Sequence, residues 1–223
     1  MSGLRQKQKD RRRRDILDAA ARLLEAQGYE ETSIEEIAER AEVGVGTVYN
    51  YFHSKAELLM ALYYRGAAEL LEQGQAIVRN PPPEPVEAVS TLLCTHFEGL
   101  AGRYDKALFR EFLARTFTRR FGYGGVMATL AGRLAAQLTE LLEQLRRHGQ
   151  LAPGVETDEA AGVLYSVFIG HLRGFAFIPE LTLDSGKQTL EHSVALVFSG
   201  LASPLNRTHP SASGTENRAE EAS

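Results

Sequence analysis

The 223 residues suffice for one domain with an appendage or for two small domains, and 43% hydrophobic with 24% charged residues is the balance of an ordinary globular protein. No run of eighteen apolar residues occurs, which excludes a membrane span by pattern, and no uninterrupted apolar segment follows the basic N-terminus as in a secretory signal, so a cytoplasmic location is expected. The net charge of −4 argues against a generic polyanion binder, and the single cysteine, Cys94, excludes an intrachain disulfide framework and a thiolate-rich zinc site.

Charge is uneven along the chain. Residues 1–14 carry seven basic side chains (Arg5, Lys7, Lys9, Arg11, Arg12, Arg13 and Arg14) against one acid, Asp10. This stretch reads as an unstructured basic arm. Ile16, Leu17, Ala20, Leu23 and Leu24 then recur at helical spacing, predicting a helix over about 10–27 that ends at Gly28. Ser33 with Glu36 forms a capping-box pattern for a second helix running to about Ala41, and Thr32 with Glu35 fits the same box one residue earlier. After the turn Glu42-Val43-Gly44 comes Val45 to Tyr51, about two turns of poor helix formers. A helix that weak does not exist for its own stability.

Periodicity resumes from Lys55 to about Arg79 and stops at Pro81-Pro82-Pro83. Further helices are predicted at about 84–102, 105–120, 125–148, 156–178 and 186–202, set apart by Gly and Pro. No strand pattern appears, so the fold class is all-α. Residues 203–223 are polar and aperiodic, and disorder is expected there.

Two short helices joined by a tight turn, the second too small to serve a core, describe a helix-turn-helix. From Asp15 to about Leu62 the residues resemble the TetR family of transcriptional regulators: Ile16-Leu17-Asp18-Ala19-Ala20, Gly28-Tyr29, Thr32-Ser33-Ile34-Glu35-Glu36-Ile37-Ala38, Ala41, Val43, Gly46-Thr47-Val48-Tyr49-Asn50-Tyr51-Phe52 and Ser54-Lys55-Ala56-Glu57-Leu58. The rest of the chain matches that family in helical layout alone.

The matched residues suit DNA. Gly44, Val45, Gly46 and Thr47 open the recognition helix with small side chains that allow close approach, and Asn50 has the paired donor and acceptor that read adenine in the major groove. Val45 and the Thr47 methyl suit thymine methyls. The resemblance implies phosphate or sugar contacts by Tyr49, with Tyr51 near the same end, and backbone phosphate clamps by Ser33 and Lys55. Gly44 departs from the family where relatives often carry a capping hydroxyl. Arg11 to Arg14 suit phosphates or a minor groove, with a merely solubilising tail as the other reading.

The resemblance implies an N-terminal three-helix DNA-binding domain (15–55) and a ligand-binding and dimerisation domain (56–202). It also implies a homodimer built from the last two helices, where Gly170, Gly174, Leu190, Val194, Val197 and Leu201 are the expected interface. Aromatics concentrate in the middle helices, and an inducer pocket there is expected to involve His96, Phe97, Phe109, Arg110, Phe112, Tyr123, Tyr165, Phe168 and His171, with Phe117 and Phe121 among the same ring cluster. Cys94 beside Leu92 and Leu93 reads as packing, with an oxidation sensor as the other reading. The six histidines show no metal-ligand spacing, no cofactor is expected, and no nucleophile–base or phosphate-loop pattern points to an enzyme. The expected function is repression of transcription from a palindromic operator, relieved by a small hydrophobic or aromatic inducer. Activation by the same fold and sequence-neutral DNA binding remain the alternatives.

Overall fold

A computed structural model describes residues 2–116 and 124–202, and among these it contains helices and no strand. In chain order they are α1 (Ser2–Glu31), α2 (Ile34–Arg40), α3 (Val45–Tyr51), α4 (Lys55–Arg79), α5 (Pro85–Ala101), α6 (Lys106–Thr116), α7 (Gly124–Arg147), α8 (Thr157–Phe177) and α9 (Leu183–Ala202). The expected tail, together with Phe117, Phe121 and Tyr123, lies outside the described residues.

Two boundaries differ from expectation. The basic arm is helical and continuous with α1, because Arg, Lys and Gln are good helix formers and turn-spaced pairs join them, with Gln6 donating to Asp10 at 2.9 Å and Arg11 facing Asp15 at 4.0 Å. Residues 3–15 are nonetheless exposed, so tertiary packing does not hold them. Helix α9 begins at Leu183 rather than near 186, since the Thr182 amide donates to Ser185 Oγ and the Ser185 amide donates to Thr182 Oγ1. This is a capping box with serine in the place usually taken by Glu or Gln. At Gly28 the backbone takes φ 81° and ψ −179°, a break within α1 that glycine alone accepts cheaply.

Helix α4 packs against α1, α5, α6 and α7, and α5 packs against α4 and α9. Helix α8 lies between α7 and α9. It is the one helix among the described residues long and apolar enough to cross a membrane, yet its Leu164, Phe168, Leu172 and Phe175 are core residues of this fold. One hydrophobic cluster extends from Ile16 in α1 to Phe198 in α9, so both ends share a continuous core.

Candidate DNA-binding surface and interior cavity

Helix α2 starts on the Ser33–Glu36 box: the Glu36 amide donates to Ser33 Oγ at 3.1 Å, and the Ser33 amide and hydroxyl donate to the Glu36 carboxylate at 2.8 Å each. These bonds hold the Glu36 carboxyl below its ordinary range. Thr32, the alternative cap, is buried and donates its hydroxyl to Gly28 O at 2.7 Å. The turn after α2 closes when the Val43 amide reaches Ala38 O at 2.9 Å and the Glu42 amide reaches Glu39 O at 3.0 Å. That is a Schellman turn whose left-handed residue is Glu42 at φ 54°, while Gly44 sits at an ordinary φ of −70°. Of the three turn residues it is thus Glu42, and not the glycine, that takes the left-handed conformation.

Helix α3 is held by Val48, its one fully buried side chain. Val45, Thr47 and Tyr51 are half-buried, whereas Gly44, Gly46, Tyr49 and Asn50 are exposed, Tyr49 at 46%. Gly46, Tyr49 and Asn50 follow the three- and four-residue spacing of one helix face. A methyl group at Gly46 would meet nothing within 4 Å, and one at Gly44 would meet only Thr47 Oγ1 at 3.9 Å, so internal packing does not demand either glycine. The space they leave faces outward.

Lys55 differs from expectation. Its ammonium donates to the carbonyls of Tyr29 (2.6 Å), Glu30 (3.2 Å) and Thr32 (2.8 Å) and lies 4.3 Å from the centre of the Tyr29 ring. The carbonyls left open at the end of α1 attract a cation, so Lys55 locks α1 to α4 instead of presenting a free charge. Ser33 is likewise committed to its cap. Arg13 sits 5.2 Å above the Phe52 ring, just beyond α3, while Arg11, Arg12 and Arg14 are exposed on α1.

The second feature is an interior cavity of about 380 Å³ bounded by α4, α5, α6, α7 and α8. His96, Phe109, Phe112, Tyr165 and Phe168 line it, as the sequence led one to expect, and so do Tyr63, Tyr64 and Arg173, which were not expected. Tyr63 stacks on Phe112 at 3.8 Å, and its hydroxyl is the one buried side-chain polar atom among the described residues without a hydrogen-bond partner. Burial lowers the pKa of His96 to about 4, so its ring is neutral at physiological pH.

Three expected lining residues lie elsewhere. Phe97 packs edge-on against Phe175 at 5.8 Å, on the side of α5 facing α9. Arg110 is exposed and donates from Nε to Ala176 O at 2.9 Å, drawn to the open carbonyls at the end of α8. His171 bridges α8 to α9 through Ser193 Oγ at 2.9 Å. Gln137, which the sequence reading did not single out, is buried behind the wall and touches His96 Nε2 at 3.0 Å; its signal was a polar residue between Leu134 and Leu138 on an otherwise apolar stripe. Cys94 is buried, and burial together with the neighbouring Glu191 carboxylate pushes its thiol up to about 12, which disfavours the thiolate.

On the expected dimer helices, Leu190 and Val194 are buried within the chain and Val197 packs against the same core, so α9 spends that stripe internally. Gly170 is open, Gly174 is half-buried near Ile178 and Leu181, and the side chain of Leu201 lies outside the described residues. The apolar side chains left outward are Val163, Phe177, Ile178 and Leu196, the last 73% exposed.

Residues 16–62 match the family described as bacterial regulatory proteins, tetR family. Over 169 residues the chain is 31% identical to the transcriptional repressor KstR of Rhodococcus jostii, spanning 74% of this chain and 72% of that protein. Among solved structures, Thermus thermophilus FadR in complex with lauroyl-CoA superposes with a TM-score of 0.63 at 26% identity, covering 91% of this chain and all of that one. A Thermobifida fusca regulator superposes at 0.66 with 24% identity over 85% of this chain and 97% of its own, which shows the fold alone. With a helix-turn-helix whose outward face is free, a match across that module, and a repressor related over most of both chains, this protein belongs to the TetR family of DNA-binding transcriptional regulators.

Proposed function

We propose that the protein is a repressor that binds a two-fold symmetric operator as a homodimer and is released when a small, largely apolar molecule enters the cavity. The observation that carries this reading is the outward face of α3, where Gly46, Tyr49 and Asn50 are exposed while Val48 anchors the helix. Residues 15–55 read DNA, and residues 56–202 hold the ligand and dimerise. Asn50 contacts a base edge, Val45 and Thr47 lie against the groove wall, and Tyr49 with Arg11 to Arg14 engages phosphates. Repression is supported by the relative named as a repressor, and a ligand role for the cavity by the FadR structure holding lauroyl-CoA.

Dimerisation through α8 and α9 is supported by the outward Val163 and Leu196 with the open Gly162 and Gly170 between neighbouring turns. Ligand entry shifts α4, which lines the cavity with Tyr63 and Tyr64 and is tied to α1 through Lys55 and the Arg65–Asp18 ion pair. Selection of random duplex DNA by the purified protein at about 150 mM salt, followed by sequencing, tests the reading. Enrichment of a palindrome whose half-sites lie about 34–36 Å apart is expected, and survival of unrelated sequences would overturn it.

A further inference from the structure

Resting on the reading of the cavity as the inducer site, the structure also indicates which chemistry that inducer carries. Three helices converge on one polar contact in the cavity wall. On α7, the Gln137 amide nitrogen donates to Leu71 O of α4 at 2.7 Å and faces Gln75 Oε1 at 3.4 Å. Both of its hydrogens are thereby used, so Gln137 Oε1 is the acceptor in its 3.0 Å contact with His96 Nε2 on α5. The proton of the neutral imidazole therefore sits on Nε2, and Nδ1 is left as a lone-pair acceptor on a ring that lines the cavity.

The arrangement is built into α4 as well. A methyl group at Gly74 would lie 2.5 Å from His96 Nε2 and 2.6 Å from Gln137 Oε1, so only glycine lets the pair meet there. Arg173 is the one charged side chain among the described lining residues, and it is exposed. The described wall otherwise holds Tyr63, Tyr64 and Tyr165, of which Tyr63 carries a buried hydroxyl without a partner, and apolar groups such as Leu70, Leu71, Leu100 and Phe109. A carboxylate placed against Nδ1 would meet the histidine lone pair, with the exposed Arg173 the one cation among the described lining residues. At Nδ1 a bare carbonyl or ether would bring a second acceptor to the first, so the discrimination is made at His96 and not at the Tyr63 hydroxyl, which can both donate and accept.

We infer that the cavity selects an uncharged, mostly apolar molecule carrying a hydroxyl or N–H donor, which His96 Nδ1 accepts while Gln137 passes the contact to the α4 backbone at Leu71. The volume of about 380 Å³ lies in the lower part of the range of roughly 300–1,000 Å³ typical of small-molecule sites. Ligand polarity and α4 position are thus joined by one chain of hydrogen bonds, and its direction is set from the backbone end.

The test compares para-pentylphenol, para-pentylanisole and para-pentylbenzoate, which share a skeleton and present a donor, an acceptor alone and an anion. Affinity is read as the rise in unfolding midpoint of the full-length protein at neutral pH. The phenol is expected to bind about tenfold more tightly than either of the others, the size of one well-formed hydrogen bond. His96→Leu is expected to bring phenol and anisole to equal affinity. If that variant does not fold, the wild-type ranking alone decides.

Equal binding of anisole or benzoate and phenol, discrimination that survives in His96→Leu, or no binding by any of the three overturns the inference. Decanoyl-coenzyme A, measured alongside, separates this failure from that of the broader reading. If it binds while the phenol does not, the cavity is still an inducer site and only the donor requirement falls. If none of the four binds, both fall together.

Discussion

On α3 the side chains of Tyr49 and Asn50 turn away from the core and a single valine holds the helix, whereas around the cavity Tyr63, Phe109, Phe112 and Phe168 all turn inward from α4, α6 and α8. The first region is a short contiguous segment whose outward side chains are not constrained by the chain's own packing. The second is assembled from residues up to 110 positions apart, each of which also serves as core. That contrast explains why one could be read from the chain and the other only in part. A residue exposed on such a face has no packing reason to be what it is, so Gly46 and Asn50 stand out against helical periodicity. Phe97 and Phe109 look alike in sequence, and only the rotation of their helices puts one in the cavity wall and the other behind it.

The cations show how internal bonding escapes a sequence pattern. Lys55 and Arg110 were expected to meet phosphate or ligand, yet both reach the open carbonyls at the end of another helix, and Lys106 does the same at Ile178, Pro179 and Leu181. Such carbonyls are invisible to residue patterns because every helix end offers them. The helices themselves were legible nearly throughout. The exceptions, the helical basic segment and the early start of α9, depend on side-chain pairs whose residue types are common elsewhere.

If the cavity end is internal in this sense, its polar group should affect folding more than any group on the reading face. Burial lowers the His96 pKa from 6.5 to about 4, so the unfolded chain binds more protons between those values. The stabilisation is therefore complete above about pH 6.5 and is lost as pH falls towards about 4, in total on the order of 3 kcal/mol. His171 shifts in the same direction because it too is partly buried, so the assignment needs a variant. Urea unfolding at pH 7 and pH 5 should show the loss in wild type and a clearly shallower one in His96→Leu. An equal slope in both would assign the effect to another group.

The reading face should behave in the opposite way. Asn50→Ala is expected to leave folding stability within about 0.5 kcal/mol, since the side chain is exposed and makes no hydrogen bond among the described residues. In competition binding it should relax preference at one base pair by roughly 1–3 kcal/mol. A large drop in stability with unchanged sequence preference would make Asn50 a structural residue and erase the contrast. Lys55→Met tests the borderline case. Loss of its three carbonyl contacts should cost about 1.5 kcal/mol of stability, an effect that a residue reserved for phosphate would not show.

The turn between α2 and α3 allows the finest cut between the two demands. The chain makes the same Schellman closure at the end of α7, where the Gln150 amide reaches Leu145 O at 2.9 Å and the Gly149 amide reaches Arg146 O at 3.0 Å. There the left-handed residue is glycine at φ 71°, while after α2 it is Glu42 at φ 54°. A non-glycine residue pays about 1 kcal/mol for that conformation, and glycine recovers it less the entropy of a freer unfolded chain. Glu42→Gly should therefore raise stability by up to roughly 0.5 kcal/mol in urea unfolding, even though glycine is usually a destabilising replacement. If the gain appears and operator affinity stays the same, Glu42 is a tolerated cost of the turn. If the gain appears and affinity falls, the glutamate restrains the angle between α2 and α3, and the reading face depends on a strained residue that makes no contact with DNA.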